Sequence, residues 1–376
     1  MSADYRRDYL MTEGQQWAEL ALQIKNWAAE LGFAQCAVSE PDLALASERL
    51  QQWLQARHHG SMEWMQERAE LRSCPEKLLP GTLRIISVRM DYLADNSMLA
   101  VLKSDDKAYI SRYALGRDYH KLIRKRLAQL ADKIRAAIDA MPLDASQPEL
   151  IQRPFVDSAP VMEKPIAEQA GLGWIGKNTL LINSEAGSWF FLGELFTSAP
   201  LPVDSSDQTD QCGNCRACLT TCPTDAFTAP YQLDARRCIA YQTIENRGSI
   251  PVELRGALGN RVFGCDDCQI FCPWNREPAQ TQQVDFAPRH QLQDSQLAEL
   301  FMWSEQQWLD RTAGSPIRRI GYRGWLRNLS VGLGNWSDAA AAIKVLQSRA
   351  DIDDELVREH IDWALQTQRQ RLDDQP

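Results

Sequence analysis

Eight of the ten cysteines fall between positions 212 and 272, and their order constrains the chain more than any other feature. The first four read Cys212-Gly-Asn-Cys215-Arg-Ala-Cys218-Leu-Thr-Thr-Cys222-Pro223, the C-x2-C-x2-C-x3-C-P run of bacterial two-cluster ferredoxins. Three thiolates at equal spacing on a tight loop reach three corners of an iron–sulfur cubane. The fourth points away as a helix begins, and in such folds it serves the other cluster. Pro223 suits that first helical turn, where a missing N–H costs nothing. The second half, Cys265-Asp-Asp-Cys268-Gln-Ile-Phe-Cys272-Pro273, is one cysteine short, and Cys238 is the nearby residue that completes it. The swap then predicts one set of Cys212, Cys215, Cys218 and Cys272, and another of Cys222, Cys238, Cys265 and Cys268. Structural zinc sites use paired ligands rather than a run of three with a trailing Cys-Pro, so two 4Fe–4S clusters are expected. Cys36 and Cys74 stand alone and read as buried thiols.

Whether the ten cysteines stay reduced depends on the compartment, because a reducing one disfavours five disulfides. The N-terminus carries no apolar signal core, and the longest apolar stretch, Trp189 to Phe196, is interrupted by Glu194. It falls far short of the ~20 residues that span a bilayer. A cytoplasmic protein without a membrane partner is expected. The net charge of −9 excludes a uniformly basic nucleic-acid binder, though not a local basic patch. Nothing indicates an oligomer, so a monomer is expected.

The 376 residues allow two or three domains. Before the cysteines, helix and strand signals alternate. Trp17, Leu20, Ile24, Trp27 and Leu31 recur at helical spacing, and Gly32 follows as a C-cap. Phe33–Val38 and Leu83–Val88 read as strands, Leu43–Arg57 and Tyr119–Ile138 as helices, and Phe155-Val156 as a strand end; two further strands flank Gly187. Pro200–Gln211 reads as a linker. The tail is helical, with Ala339–Arg349 and Asp354–Arg371 forming a pair of the α-solenoid kind. The expected fold class is therefore α+β and multidomain: a mixed α/β domain over 1–205, a ferredoxin-like domain with both clusters over 206–285, and a helical region over 286–376.

Three local signals read weakly by themselves. Gly171-Leu-Gly173-Trp-Ile-Gly176 matches G-x-G-x-x-G, but it lies between a helix and a strand, the reverse of the dinucleotide-binding order. Asp118-Tyr-His120-Lys-Leu-Ile123 resembles a cobalt-ligating D-x-H-x-x-G motif without its glycine; Asp118 reads as a helix N-cap and His120 as a first-turn residue. Asp157, at a strand end, suits either a cleft-facing carboxylate or a turn residue bonding its own backbone.

Taken together, these residues resemble the epoxyqueuosine reductases, a tRNA-modifying family. The resemblance rests on Arg72-Ser-Cys-Pro-Glu-Lys-Leu-Leu-Pro80, Ser111-Arg-Tyr-Ala-Leu-Gly-Arg-Asp-Tyr-His120, Val156-Asp157, Ala167–Asn178 and the cysteine order. It implies cobalamin as a third cofactor, bound without a histidine on cobalt. It also implies an N-terminal domain related to reductive dehalogenases and a HEAT-like C-terminal region. Asp157 falls on the family's proton donor, and Arg72, Ser111 and Lys177 fall where the family contacts cobalamin. The reaction implied is reduction of epoxyqueuosine to queuosine at the tRNA wobble position, the last step of queuosine biosynthesis, with electrons from an unidentified donor. An acid at Asp157 needs a carboxyl kept protonated by burial.

Binding tRNA requires local positive charge. Arg318, Arg319, Arg323 and Arg327 occur within ten residues that contain no acid, the last three at four-residue spacing, and are expected to contact phosphate. Arg117, Lys121, Arg124, Lys125 and Arg126 form a second basic segment that suits a solvated face equally well. The competing readings are a cobalamin-dependent, dehalogenase-like reductase of small molecules and a non-catalytic ferredoxin-type carrier. The first has no need of the arginine row; the second has no need of about 200 residues before the clusters.

Overall fold

The computed structural model describes residues 12–141, 149–204 and 209–374. Its N-terminal part is organised by a four-stranded sheet of β1 (Gln35–Ser39), β2 (Arg84–Asp91), β3 (Gln152–Phe155) and β4 (Phe190–Thr197), in the order β1-β2-β4-β3. Every pairing is antiparallel. Helices α1 (Glu13–Glu30) and α2 (Tyr119–Asp139) cover one face, where Trp17, Ile24, Ile123 and Leu127 meet Val38, Ile86, Val88 and Leu195. The short helix α3 (Glu163–Gln169) covers the other, with Ile166 against Ile85, Phe155 and Phe196. Burial on both faces explains why β2 and β4 are apolar at successive positions rather than alternately. Gly193 lets α2 approach the sheet: a Cβ there would stand 2.8 Å from the Ile123 side chain.

The glycine-rich run forms a hairpin, Trp174–Ile175 pairing with Leu181–Ile182. Gly173 is required by close approach, since a Cβ would stand 2.2 Å from the Ile182 carbonyl oxygen. The hairpin packs through Trp174 and Ile182 against Cys212, Cys272 and Trp274.

The three sequence segments interlock. Arg261–Phe263 pairs in parallel with Tyr109–Ile110, and residues from Ala108 to Leu115 share a core with Phe263 and the C-terminal helices. Phe286 packs into the N-terminal core, so position 285 lies within a turn bound to the first segment. The other expected boundary, 205/206, and the middle of the 200–211 linker lie outside the described residues. At the C-terminus α4 (Gly321–Asn335), α5 (Ala339–Gln347) and α6 (Glu355–Asp373) pack together around Leu329, Leu333, Leu346 and Ile361. Among the described residues no helix is long and apolar enough to cross a membrane.

Candidate active site

Asp118 caps α2, its side chain accepting the His120 amide, so Tyr119 and His120 occupy the first helical turn beside the end of β3. Asp157 follows β3 and has φ +48°. That left-handed conformation costs a non-glycine residue about 1–2 kcal/mol and needs a compensating hold. Its Oδ2 accepts Tyr119 Oη–H at 2.6 Å and pairs with His120 Nε2 at 2.8 Å. The imidazole is clamped from its other side, with Nδ1 2.6 Å from Asp118 Oδ1. Tyr119 is fixed by stacking on Phe191 at 3.8 Å between centroids. The Asp157 side chain remains 46% exposed, so the group is held yet reachable.

The charges differ from the sequence expectation. Burial pushes the Asp157 pKa up, but the hydrogen bonds from His120 and Tyr119 and the charges of His120 and Arg319 outweigh it and hold the carboxyl below its usual range. Burial likewise depresses His120, yet Asp118 and Asp157 together raise it to about 9. At neutral pH the proton therefore rests on the imidazole. The expectation of a protonated Asp157 is corrected: two ring-facing carboxylates and a phenol stabilise the charged pair more than burial disfavours it.

Two further acids stand behind the pair. Glu163 opens α3 and accepts the Asp157 amide at 2.6 Å. Glu194 sits in the middle of β4, opposite Ser87 and Phe155, and is fully buried. Burial, reinforced by neighbouring carboxylates, raises Glu163 to about 7 and Glu194 well above its ordinary value.

The remaining expected contacts do not all lie at this cleft. Arg72 is buried, stacks over Trp64 at 5.0 Å, lies in the field of Asp157 and Glu163, and leaves its Nε without a partner. Ser111 is buried and donates to Asp266, which also accepts Tyr109 Oη–H at 2.8 Å. Lys177 donates to the carbonyls of Gly213 and Cys215, tying the hairpin to the first cysteine loop. Lys164 spans from Glu163 towards Cys268 and donates to the Thr179 carbonyl at 2.7 Å.

Cys212, Cys215, Cys218 and Cys272 line one cavity of about 250 Å³ together with Lys177 and Trp274. Cys218 is pushed up to about 11 by burial and by Cys272, Cys212 and Cys215. Cys222, Cys238, Cys265 and Cys268 form a second neighbourhood: beyond burial, Cys238 feels Cys222, Cys265 feels Cys238, and Cys268 feels both Cys238 and Cys222. Cys218 and Cys268 are the link between the two groups in these fields. Among the described residues no three His, Cys, Asp or Glu side chains converge tightly enough for one metal ion. Cluster ligands each bind a different iron and stand further apart than ligands of a single tetrahedral ion. Trp174, buried against this cavity, directs its indole N–H at the Cys212 sulfur, a donor suited to a cluster ligand. Cys36 is buried, and burial raises its thiol to about 12; Cys74 is half-buried.

The arginine row does not form one exposed face. Arg318 and Arg319 lie on the turn Pro316–Ile320, whereas Arg323 and Arg327 lie on α4 beyond Gly321. Arg318 and Arg323 are exposed, Arg323 pairing with Asp354 at 2.8 Å. Arg319 pairs with Glu245 at 2.9 Å and reaches Asp157 with its field. Arg327 corrects the expectation of phosphate contact. It is 1% exposed, and its guanidinium donates to the carbonyls of Asn246, Gly248 and Gln242. The segment 242–248 leaves those acceptors without helical partners, and Arg327 supplies the donors.

Tyr119, His120, Glu163 and Glu194 are the site residues that sequence reasoning missed. The Asp-Tyr-His start of α2 and the lone acid in the apolar run of β4 were their visible signals.

Residues 211–275 match the 4Fe-4S double cluster binding domain, and residues 72–158 match the family described as Epoxyqueuosine reductase QueG, DUF1730. The chain is 58% identical to an epoxyqueuosine reductase of Pseudomonas aeruginosa over 93% of its own length and 94% of that protein's. It is 50% identical to one of Escherichia coli over 96% and 93% of the two chains. Its fold is similar to the crystal structure of an epoxyqueuosine reductase with a tRNA-Tyr epoxyqueuosine-modified stem loop: TM-score 0.80, 24% identity, 95% of each chain covered. It is similar as well to that of Streptococcus thermophilus, with TM-score 0.75, 25% identity and coverage of 92% and 89%.

Proposed function

The chain belongs to the epoxyqueuosine reductase family, and from that premise we propose how its cleft performs the reaction. It is an oxidoreductase of queuosine biosynthesis that acts on tRNA. Converting the epoxide to an alkene breaks two C–O bonds, consumes two electrons and two protons, and releases water. The double-cluster domain is the source of single electrons, with Cys212, Cys215, Cys218 and Cys272 holding one cluster and Cys222, Cys238, Cys265 and Cys268 the other.

Cobalamin, when bound, supplies a strong two-electron nucleophile for the strained ring. Arg72 fits such a cofactor, because a buried guanidinium nitrogen without a partner wants an acceptor. The Asp157 loop completes that side of the site. Ser111 and Lys177 are spent on Asp266 and on the cluster-loop carbonyls, and hold the cofactor's surroundings rather than its polar groups.

Asp157 is the group that meets the substrate oxygen. It takes the proton resting on His120 Nε2 and passes it to the oxygen of the opening epoxide, while Tyr119 steadies the same carboxylate oxygen. Arg319 brings positive potential to this cleft, and the exposed Arg318 and Arg323 beside it contact RNA phosphates. Lys121, Arg124 and Lys125, exposed on α2, extend the basic rim; Arg124 lies 3.5 Å from Ser158 next to the catalytic loop. The loop's importance accords with a Bacillus subtilis epoxyqueuosine reductase structure described with its catalytic aspartate loop swung out of the active site.

The observation carrying this reading is the shared Asp157 oxygen, held by a phenol and a charged imidazole at an accessible site. Anaerobic reconstitution with iron, sulfide and cobalamin, followed by incubation with tRNA bearing epoxyqueuosine, tests it. Loss of one oxygen from the base supports the reading; iron uptake with an unchanged base refutes it.

A further inference from the structure

Glu194 presents a problem that the reaction does not by itself explain. Its side chain is completely buried under α3, and neither carboxylate oxygen has a donor. Ser87, directly opposite on β2, has an unpartnered hydroxyl as well. An ionised carboxylate in that position would be buried with no hydrogen-bond donor on either oxygen. The polar group against it is another carboxyl, Glu163. Two carboxyls in contact make a hydrogen bond only when one of them carries a proton, and that bond is short and charge-assisted when the other is ionised.

Glu163 has a second attachment: its Oε1 accepts the Asp157 amide. That amide belongs to the residue whose left-handed backbone needs holding. We propose that Glu163 and Glu194 share one proton and act together as the positioning element of the catalytic loop. Glu194 donates O–H to Glu163, and Glu163, fixed in this way, holds the Asp157 amide. The inference rests on the reading of Asp157 as the group that meets the substrate.

The groups facing the pair are Asp157 on its loop, His120 on α2, Arg72 on the helix Ala69–Ser73 and Lys164 on α3. The sheet contributes neutral Ser87 and Phe155. Burial sets the direction of titration. Both carboxyls have raised pKa values: as pH rises through about 7 Glu163 gives up its own proton and the pair keeps the shared one, which leaves only in the still higher range to which burial pushes Glu194, so the stabilisation it brings is present below that range and lost above it. Once the shared proton leaves, two adjacent carboxylates repel and the hold on Asp157 weakens.

The test uses the full reconstituted protein and three substitutions. Infrared difference spectra, taken without tRNA, should show the carbonyl stretch of a protonated carboxylic acid at neutral pH. That band should vanish in Glu194→Gln and persist in Asp157→Asn. Single-turnover removal of the epoxide oxygen should fall about tenfold or more in Glu194→Leu, which deletes the donor. Glu194→Gln should recover most of that loss, because its amide N–H replaces the carboxyl O–H, while the decline with rising pH that belongs to the pair disappears. Thermal melts check that each variant is folded. A band that survives in Glu194→Gln overturns the proposal, as do Leu and Gln variants that are equally slow with the parent's pH profile. A fully active Asp157→Asn protein with the band intact overturns instead the reading of the loop as catalytic, so the two failures are separable.

Discussion

Replacing His120 with glutamine removes the charge that the site stores. The imidazole is gripped between Asp118 at 2.6 Å and Asp157 at 2.8 Å. Its rise from an ordinary 6.5 to about 9 corresponds to about 3 kcal/mol in favour of the charged ring. Solvent reaches Asp157, so screening reduces the measurable part to about 1–2 kcal/mol. The sign follows from the raised value: this stabilisation is fully present below 6.5 and lost as pH rises through about 9. The glutamine variant should therefore melt below the parent at neutral pH, and the difference should close above about pH 9. Glutamine keeps a donor for Asp157 but carries no transferable proton, so single-turnover epoxide removal should fall by about 10²–10⁴-fold. The parent's rate should decline above about 9, whereas the variant lacks that limb. Nitrogen NMR of the labelled imidazole reads the titration directly, and mass analysis of the nucleoside reads the chemistry. A ring titrating near 6.5, or a glutamine variant with the parent's rate and alkaline limb, refutes the stored-proton argument.

Asp157→Asn should bind tRNA normally and lose turnover by at least about 100-fold, as measured by filter binding and nucleoside analysis. Arg327→Ala should lower unfolding free energy by about 2–4 kcal/mol, because it strips donors from buried carbonyls, and should leave the salt dependence of tRNA affinity unchanged. Arg318→Ala should leave the melt unchanged and reduce the salt slope of tRNA binding by about 1. Cys238→Ala should lower the iron content of the reconstituted protein from about eight to about four, whereas Cys36→Ala should keep the full complement.

Local chemistry made several elements legible in advance. Asp118 announces the start of α2, and the α5–α6 pair follows from its spacing of apolar residues. The shared cavity of Cys212, Cys215 and Cys218 follows from a run whose spacing is short-range, and the crossing to Cys272 from the swap that such runs carry. What escaped was set by partners distant in sequence. Alternating helix and strand signals say nothing about pairing direction, and the sheet proved entirely antiparallel. His120 read as a cap-turn residue because its second partner lies 37 positions away. Arg327 kept helical spacing with Arg323, but its carbonyl partners come from about 80 residues upstream. Glu194 was visible as an interruption of an apolar run. Its meaning came only when α3 brought Glu163 across the sheet.

The nested order of the cysteines has a consequence for assembly. In the proposed ligand sets, the one that joins Cys218 to Cys272 encloses the one that joins Cys222 to Cys268. By itself the outer junction closes a loop of 54 residues. With the inner junction already made, the free chain left to close is only about eight residues, four on either side, and the entropic cost falls by about 1.7 kcal/mol. On the proposed ligand sets, each junction prepares the ground for the other, and maturation is expected to be cooperative through the polymer itself. A chain that has acquired half its inorganic complement is predisposed to acquire the rest. Losing one junction returns conformational freedom to the segment that carries Cys268, whose field reaches Lys164 on α3.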